Sequence, residues 1–219
     1  AAPHLGRSAL DACELMNVGV NYMREHMPDS ARIHYAYLDV GGAAPNVVQA
    51  TGTVRQLVRA SDNATLRELI ARVHDIAKGA ALMTGTTVET KVYSGVSNLV
   101  GNLPLEQAMQ AEFDKLGPVP FEKEDEAFAN QIRKTLTTDD IAASFQRAGR
   151  ETPPDLPLCD FVAPLVRPSH GGEGSTDVGD VSWVTPTVQA RVATCAVGTP
   201  FHTWQTVAQG KASVAHKGM

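Results

Sequence analysis

The sequence of 219 residues predicts an α/β protein. Two early segments repeat apolar residues at steps of three and four, other segments alternate apolar with polar residues, and the composition of 43% hydrophobic and 20% charged residues is typical of a globular chain. Up to about residue 97 these segments follow the order helix, strand, strand, helix, strand. This order is that of a split βαβ domain that lacks its first strand.

The first predicted helix covers residues 8–27, and two strands follow it. Pro28 ends the helix because proline cannot continue it. Residues 32–40 are rich in β-branched and aromatic side chains, and residues 46–59 alternate apolar with polar ones, so both predict strands. The Gly-rich residues 41–45 predict the hairpin turn between them. The apolar helix positions share one face: Ala9, Ala12, Cys13, Met16, Val20 and Met23.

A second helix and a third strand complete this part of the chain. Thr65 and Glu68 have the spacing of a capping box, and the apolar stripe behind them predicts a helix to about Ala80. Residues 86–93 alternate valine and threonine with charged residues, which predicts a half-buried strand. A split βαβ domain needs one more strand before its first helix, so we expect that strand upstream of Ala1.

The pattern changes after Asn98, and we expect a domain boundary at residues 96–103. Helices are predicted at 105–116 and 125–136, and a third one, capped by Thr138-Asp139-Asp140, to about Ala148. The later segments are predicted to be a Pro-rich surface loop (150–157), an apolar run (161–166), a Gly-rich loop (170–180), a strand (191–197) and a final segment (209–219).

Composition and charge exclude several classes of partner. The net charge is −5 without a long block of one sign, so we expect no nucleic-acid partner. No apolar run reaches the roughly 18 residues of a membrane span, and the first residues lack the pattern of a secretion signal. Three widely spaced cysteines, without a CxxC pair, predict core residues in a reducing compartment. We therefore expect a cytoplasmic protein.

Histidines are the first candidates for metal or proton chemistry. His26 and His74 stand beside charged residues on predicted helices, which favours solvent-exposed positions. His34 alternates with apolar residues on a strand and is predicted to be structural. His202 differs, because it lies in an irregular segment directly after a predicted strand, where ligating side chains can converge on a cleft.

The Gly-rich loop contains Ser175, Thr176 and Asp177. Its small residues and backbone amides would suit an anionic ligand, and a tight turn capped by an aspartate explains the same pattern equally well. The loop lacks the lysine of a phosphate cradle and the GxSxG of a nucleophile elbow, and the sequence has no HxD, HExxH or Glu-Glu pair. The spacing of these residues alone therefore does not identify a reaction.

Four motifs together resemble a known family. They are Gly6-Arg7-Ser8-Ala9-Leu10-Asp11-Ala12, Gly41-Gly42-Ala43-Ala44-Pro45-Asn46-Val47-Val48, Gly174-Ser175-Thr176-Asp177-Val178-Gly179-Asp180-Val181-Ser182-Trp183, and Gly198-Thr199-Pro200-Phe201-His202-Thr203-Trp204-Gln205 with Ala208-Gln209-Gly210-Lys211. The chain resembles the aminobenzoyl-glutamate hydrolase branch of the zinc amidohydrolases and metallopeptidases, whose other members include carboxypeptidase G, aminoacylases and succinyl-diaminopimelate desuccinylase. The likeness covers nearly the whole chain in order.

The resemblance implies two domains. Residues 1–97 would be most of a ferredoxin-like split βαβ lid, the domain through which such enzymes usually form homodimers. Residues 98–219 would be the C-terminal portion of a zinc-peptidase-like α/β catalytic domain. The family's first metal-ligand motif, its Glu-Glu pair and its lid histidine would all precede Ala1, so we expect the chain to be the C-terminal part of a longer protein.

The resemblance also implies roles for four residues. His202 matches the last metal-ligand histidine, and a neutral imidazole suits zinc. Asn46 and Arg59 match the lid asparagine and arginine that reach a partner subunit's active site, although a surface charge at a strand end would explain Arg59 without any resemblance. Asp177 would be a polar contact of the substrate. Gln49 stands where relatives often carry proline.

The implied reaction is hydrolysis of the amide bond of an N-acyl or N-aroyl amino acid, such as p-aminobenzoyl-glutamate, with two zinc ions activating a water. No catalytic residue is assigned to this sequence, because the implied general base lies upstream. The alternative from another class is a catalytically inactive dimerisation or binding module. A third possibility is the same chemistry on a different acylated substrate.

Overall fold

The computed structural model of the chain describes residues 2–148, 155–166 and 174–219. The described residues separate into two compact units. The first contains residues 2–99 and 174–183, and the second contains the remaining described residues. The predicted assignment of a lid to residues 1–97 and of a catalytic portion to residues 98–219 stays a prediction.

Helix α1 (Ala9–Arg24) confirms the first predicted helix and is capped by Ser8. The Ser8 Oγ accepts a hydrogen bond from the Asp11 amide at 3.1 Å, which satisfies one of the donors that a helix start leaves unpaired. The helix ends at Arg24, three residues before the predicted end. Its inward face is the predicted one, with Cys13, Val20 and Met23 buried.

Strands β1 (Arg32–Asp39) and β2 (Thr53–Arg59) form the predicted antiparallel hairpin. The prediction of a strand from residue 46 is wrong for residues 46–52, which form neither helix nor strand. The backbone of this stretch bonds to the start of α1, where the Ala9 amide donates to the Gln49 carbonyl at 2.9 Å. Its hydrogen bond to β1 is between side chains, from the Thr51 Oγ1 to the Asp39 Oδ2 at 3.1 Å.

Helix α2 (Asn63–Thr84) confirms the second predicted helix, but its cap differs from the prediction. The Asp62 carboxylate accepts from the Thr65 amide at 2.9 Å, so the helix begins before Thr65 and the predicted capping box is wrong. Gly85 ends the helix with a φ of 65°, a conformation that favours glycine.

The two helices cover one face of the hairpin. The core of this unit consists of Val20, Met23, Ala31, Ile33, Leu69 and Val73, and Met16, Met27, Val58, Ala60 and Ile76 pack against it. Ile33 and Val58 lie directly opposite each other in the ladder. Neighbouring residues of a strand point to opposite faces, so Arg32 and Arg59, another directly opposed pair, lie on the outer face.

Residues 86–93 form no strand, so that prediction is wrong. A strand exists only through a hydrogen-bonded partner. In the part of the chain that the structure describes, the sheet has two strands, and these pair with each other. The mixed helices and sheet confirm the α/β class, while the complete split βαβ arrangement is not formed by these residues.

The second unit begins with three helices near the predicted positions: α3 (Leu103–Leu116), α4 (Lys123–Arg133) and α5 (Thr138–Arg147). The cap of α5 is Thr137 and not Thr138, because the Thr137 Oγ1 accepts from the Asp140 amide at 3.1 Å. The core of this unit consists of Ala129, Ile132, Leu158, Ala196 and Val214, against which Phe121 and Phe128 pack.

Three short helices follow in chain order: α6 (Val178–Ser182), which belongs to the first unit, then α7 (Trp204–Gln209) and α8 (Ser213–Gly218). The end of the predicted Gly-rich loop is thus helical. The strand predicted at 191–197 is wrong, since these residues form neither helix nor strand. Residues 149–154, which include the first five residues of the predicted Pro-rich loop, and 167–173, before and within the Gly-rich loop, lie outside the described residues.

A buried ion pair joins α8 to the start of α4. The Lys217 Nζ lies 2.6 Å from the Asp125 Oδ2, and the Asp125 side chain is only 3% exposed. The same carboxylate accepts from the Glu122 amide at 2.9 Å. These bonds lower the pKa of Asp125 to about 2, mainly through Lys217.

Two further predictions from composition can be compared with the structure. None of the helices formed by the described residues is long and apolar enough to cross a membrane. Cys13 is buried, whereas Cys159 and Cys195 are half-buried, and no disulfide joins the three.

Candidate functional site

The hydrogen bond between Arg59 and Ser175 connects the hairpin to the Gly-rich loop. The Arg59 Nη2 donates to the Ser175 Oγ at 3.2 Å, across 116 residues of sequence. Arg59 is half-buried at the last position of β2. A guanidinium held in this way presents a planar pair of donors, the arrangement that binds a carboxylate in two places.

Helix α6 holds the loop that carries Ser175. The Asp180 Oδ1 accepts from the Ser97 amide at 2.9 Å, and the Trp183 Nε1 donates to the Asn98 carbonyl at 2.9 Å. The close approach of this helix to Ser97 requires glycine at position 179, because a Cβ there would lie 2.0 Å from the Ser97 carbonyl oxygen. We call these five residues the Ser97 clasp.

The Ser97 clasp also changes the pKa of one of its members, Asp180. Hydrogen bonds from the Ser97 side chain and amide lower the pKa of the Asp180 carboxyl group. Gly179 and Trp183 lie within the quoted motif, but no spacing rule predicts a contact with residues more than eighty positions away. Sequence reasoning therefore missed the clasp, and only the concentration of Gly, Ser and Trp in one motif marked the segment.

Asp177 precedes α6 and is exposed. Its side chain makes no capping hydrogen bond to the helix. The Gly179 amide donates to the Thr176 carbonyl at 3.1 Å, so the segment does contain a tight turn. The Thr176 Oγ1 lies 3.5 Å from the Asp177 Oδ1. Asp177 thus presents a carboxylate two positions from the residue that contacts Arg59.

Asn46 is exposed in the connection between the strands. This connection lies at the Asp39 and Thr53 end of the hairpin, whereas Arg59 lies at the other end. Seven strand residues separate these ends by about 20 Å. The structure therefore does not bring Asn46 and Arg59 together within one chain.

His202 lies in the second unit, exposed, on a strained turn. Its φ of 64° is the one positive value found for a non-glycine residue in the described part of the chain. The hydroxyls of Thr203 and Thr206 both donate to the Pro200 carbonyl, at 2.8 and 2.7 Å, and hold this turn. Backbone strain of this kind concentrates at functional sites.

The described residues do not by themselves fit a zinc ion. Zinc sites in proteins have three or four protein ligands. Among the residues that the structure describes, no group of three or more His, Cys, Asp or Glu side chains is placed to hold a metal. His202 is thus a single candidate ligand.

The other histidines have simpler environments. His26 is exposed and His74 half-buried, both on or near helices, where the sequence pattern predicts surface positions. The strand pattern predicts a structural role for His34. In the structure His34 is exposed on the outer face of the hairpin, opposite Leu57, and does not contribute to the core.

No protein-family model matches the chain. A subunit of the p-aminobenzoyl-glutamate hydrolase of Escherichia coli is 45% identical over 232 aligned positions, which cover 100% of this chain and 47% of the relative. Over its whole length the chain is therefore similar to a subunit of this hydrolase. This confirms the resemblance seen in the four motifs.

Two Xaa-Arg dipeptidases are more distant relatives of this chain. The Mus musculus protein is 30% identical over 53% of this chain and 27% of its own length. The Homo sapiens protein is 31% identical over 56% of this chain and 28% of its own length. The chain spans about half the length of the Escherichia coli relative and a smaller share of each dipeptidase.

Proposed function

We propose that this chain is part of a metal-dependent amidohydrolase that cleaves the amide bond of an N-acyl or N-aroyl amino acid, such as p-aminobenzoyl-glutamate. The observation that carries the proposal is the Arg59 guanidinium held at the Gly-rich loop by Ser175. The name of the Escherichia coli relative supports the reaction and the substrate.

The described residues explain how the substrate would be bound. Arg59 binds the carboxylate of the amino-acid part through two parallel N–H donors. Asp177, two positions beyond Ser175, accepts a hydrogen bond from an N–H of the substrate. The Ser97 clasp keeps this loop in place. We assign to these residues binding and orientation, and we assign no catalytic residue to this chain.

We propose zinc as the cofactor of the longer protein, with His202 as one ligand. The strained, exposed turn at His202 supports this role. Because the described residues supply a single candidate ligand, the other ligands and the general base would come from outside the described residues. Two zinc ions are expected there.

We also propose that residues 1–97 are a ferredoxin-like lid that forms a homodimer. The observed order helix, strand, strand, helix in residues 9–84 supports a lid of this type. The roles implied for Asn46 and Arg59, which match lid residues that reach a partner subunit's active site, also favour a dimer. The naming of the relative as one subunit of an enzyme also supports a partner chain. We place the protein in the cytoplasm, without nucleic-acid or membrane partners.

The experiment is a hydrolysis assay on the full-length protein that contains this chain. Release of p-aminobenzoate is measured by chromatography before chelation, after chelation and after zinc is restored. Arg59→Gln should raise KM about tenfold, the cost of one charge-assisted contact. Arg55→Gln, which removes an exposed arginine of the same strand, is the matched control and should leave KM unchanged. No release of p-aminobenzoate, or release that a chelator does not reduce, would refute the proposal.

The second candidate is a catalytically inactive dimerisation or binding module. The observation in its favour is that the described residues contain no group of metal ligands. It predicts that the 219-residue chain alone self-associates and binds a substrate analogue without turnover. Hydrolysis by the chain alone, with added zinc, would exclude this candidate.

A further inference from the structure

Gln209 is a buried polar residue near the His202 turn, and the proposed function gives it no role. It is the last residue of α7 and belongs to the fourth motif quoted above. Gln209 is 1% exposed and is one of the largest fully buried side chains of the described residues. A buried amide destabilises the folded state unless it is hydrogen-bonded, so the partners of Gln209 show what this side chain holds in place.

The partners of the Gln209 side chain lie on both sides of His202. The Gln209 Oε1 accepts from the Ala196 amide at 2.7 Å. The Nε2 donates to the Thr199 Oγ1 and to the Gln205 carbonyl, each at 3.0 Å. His202 lies midway between Thr199 and Gln205 in the sequence. One nitrogen atom therefore joins the two ends of the loop that has His202 at its centre.

The same contacts fix this loop to the core of the second unit. Ala196 is a member of that core. The Thr199 Oγ1 donates to the Ala196 carbonyl at 2.7 Å and accepts from the Gln209 Nε2, so one hydroxyl connects the amide to the core residue. Removal of the Gln209 amide would take an acceptor from the buried Ala196 N–H and release one end of the loop.

The strain at His202 makes such a restraint necessary. Its φ of 64° is unfavourable for a residue with a Cβ, and strained backbone persists only where the surrounding structure over-determines it. The hydroxyls of Thr203 and Thr206 restrain the inner part of the loop, since both donate to the Pro200 carbonyl. Gln209 restrains its two ends.

We infer that Gln209 is a positioning residue, which holds the His202 turn in the conformation that the reaction requires. The inference rests on the proposed function, which gives His202 its role. Gln209 acts through His202 and does not itself contact the substrate.

Kinetics of the full-length protein test this role through Gln209→Met, which keeps the length of the side chain and removes the amide. The kcat for p-aminobenzoyl-glutamate should fall about tenfold or more, because a misplacement of about 1 Å can cost about 100-fold in rate. KM should be unchanged, since substrate binding is assigned to Arg59 and Asp177. Gln205→Met is the matched control on the same helix. The Gln205 side chain donates to the Thr135 Oγ1 at 3.4 Å in an exposed position, so its loss should leave kcat unchanged.

Thr199 provides a second test of the same contact. Thr199→Val removes the hydroxyl at nearly constant size and should lower kcat, whereas Thr199→Ser keeps the hydroxyl and should retain most of the activity. The double variant of Gln209→Met and Thr199→Val should lose less than the product of the two single effects, because both changes break one shared hydrogen bond.

Hydrogen exchange separates positioning from a general loss of structure. In Gln209→Met the amides of residues 196–205 should exchange about fivefold faster, the effect of about one hydrogen bond. The amides of α4, which contributes Ala129 and Ile132 to the same core, should keep their rate. The exchange is measured by mass spectrometry on the full-length protein, and circular dichroism checks that each variant is folded.

Three results would overturn the inference. One is a folded Gln209→Met protein with unchanged kcat, and another is a Thr199→Ser protein as slow as Thr199→Val. The third is equal acceleration of exchange in α4 and in residues 196–205, which would make Gln209 a residue of general stability. If the unchanged full-length protein hydrolyses no amide, the proposed function fails, and the exchange measurement still decides whether Gln209 holds the turn.

Discussion

Asp125→Asn should lower the free energy of unfolding by about 2 kcal/mol at neutral pH. The carboxylate is 3% exposed, lies 2.6 Å from the Lys217 Nζ, and accepts from the Glu122 amide. These contacts lower its pKa from 3.8 to about 2. A shift of nearly two units, at roughly 1.4 kcal/mol per unit, corresponds to about 2 kcal/mol of stabilisation of the ionised form in the folded state.

The pH dependence of this effect has a defined direction. Since the pKa is lowered on folding, the stabilisation is fully present above pH 3.8, the ordinary value, and is lost as the pH falls toward about 2. The assay is urea unfolding of the chain and of Asp125→Asn at a series of pH values, followed by circular dichroism. The difference between the two proteins should shrink to near zero at the acid end.

The matched control is the exposed pair of Lys78 and Asp75. Their side chains are 70% and 74% exposed at a separation of 3.0 Å, so Asp75→Asn should cost at most about 0.5 kcal/mol. The reasoning would be refuted if Asp125→Asn lowered the free energy of unfolding by no more than Asp75→Asn does. It would also be refuted if the effect of Asp125→Asn were the same at all pH values. Both aspartates form an ion pair, so the expected difference in the free energy of unfolding comes from the burial of Asp125.

Three further changes test local features of the chain. Asp62→Ala removes the α2 cap and should lower the free energy of unfolding by about 1 kcal/mol, whereas Asp62→Asn, which can still cap, should cost little; thermal unfolding measures both. Gly179→Ala places a Cβ against the Ser97 carbonyl, so hydrogen exchange of the Ser97 amide should accelerate at least tenfold; Gly95→Ala, with no atom within 4 Å, should leave that rate unchanged. His202→Gly relieves a positive φ and should raise the free energy of unfolding by up to about 1 kcal/mol while abolishing activity of the full-length protein, and a destabilised variant would contradict the strain at this turn.

The helices and the hairpin were predictable because each buries one periodic face. Val20 and Met23 on α1, and Leu69 and Val73 on α2, are all in the core, as their spacing predicts. The exact caps were not predictable, because Asp62 and Thr65 are both good capping residues and the choice depends on where the preceding strand ends. Residues 86–93 have a strand pattern, but the pattern does not supply the neighbouring strand that the hydrogen bonds require.

The site was predictable only as a set of motifs. Arg59 and Ser175 belong to different motifs, and the likeness to the family marked both segments without indicating that they touch. The strain at His202 has no sequence signal, since a histidine at positive φ is indistinguishable from any other histidine until the turn is built. The opposed pair of Arg32 and Arg59 follows from the register, which the position of the turn determines.

The length of β2 is subject to two separate constraints. Along this strand Arg55, Leu57 and Arg59 face outward, while Val58 packs against the core. Deletion of one residue within the strand would reverse the faces and turn the guanidinium of Arg59 toward the apolar interior. Deletion of two would preserve the face but move Arg59 about 7 Å along the sheet. A change in the length of β2, whether by an odd or an even number of residues, therefore separates Arg59 from Ser175.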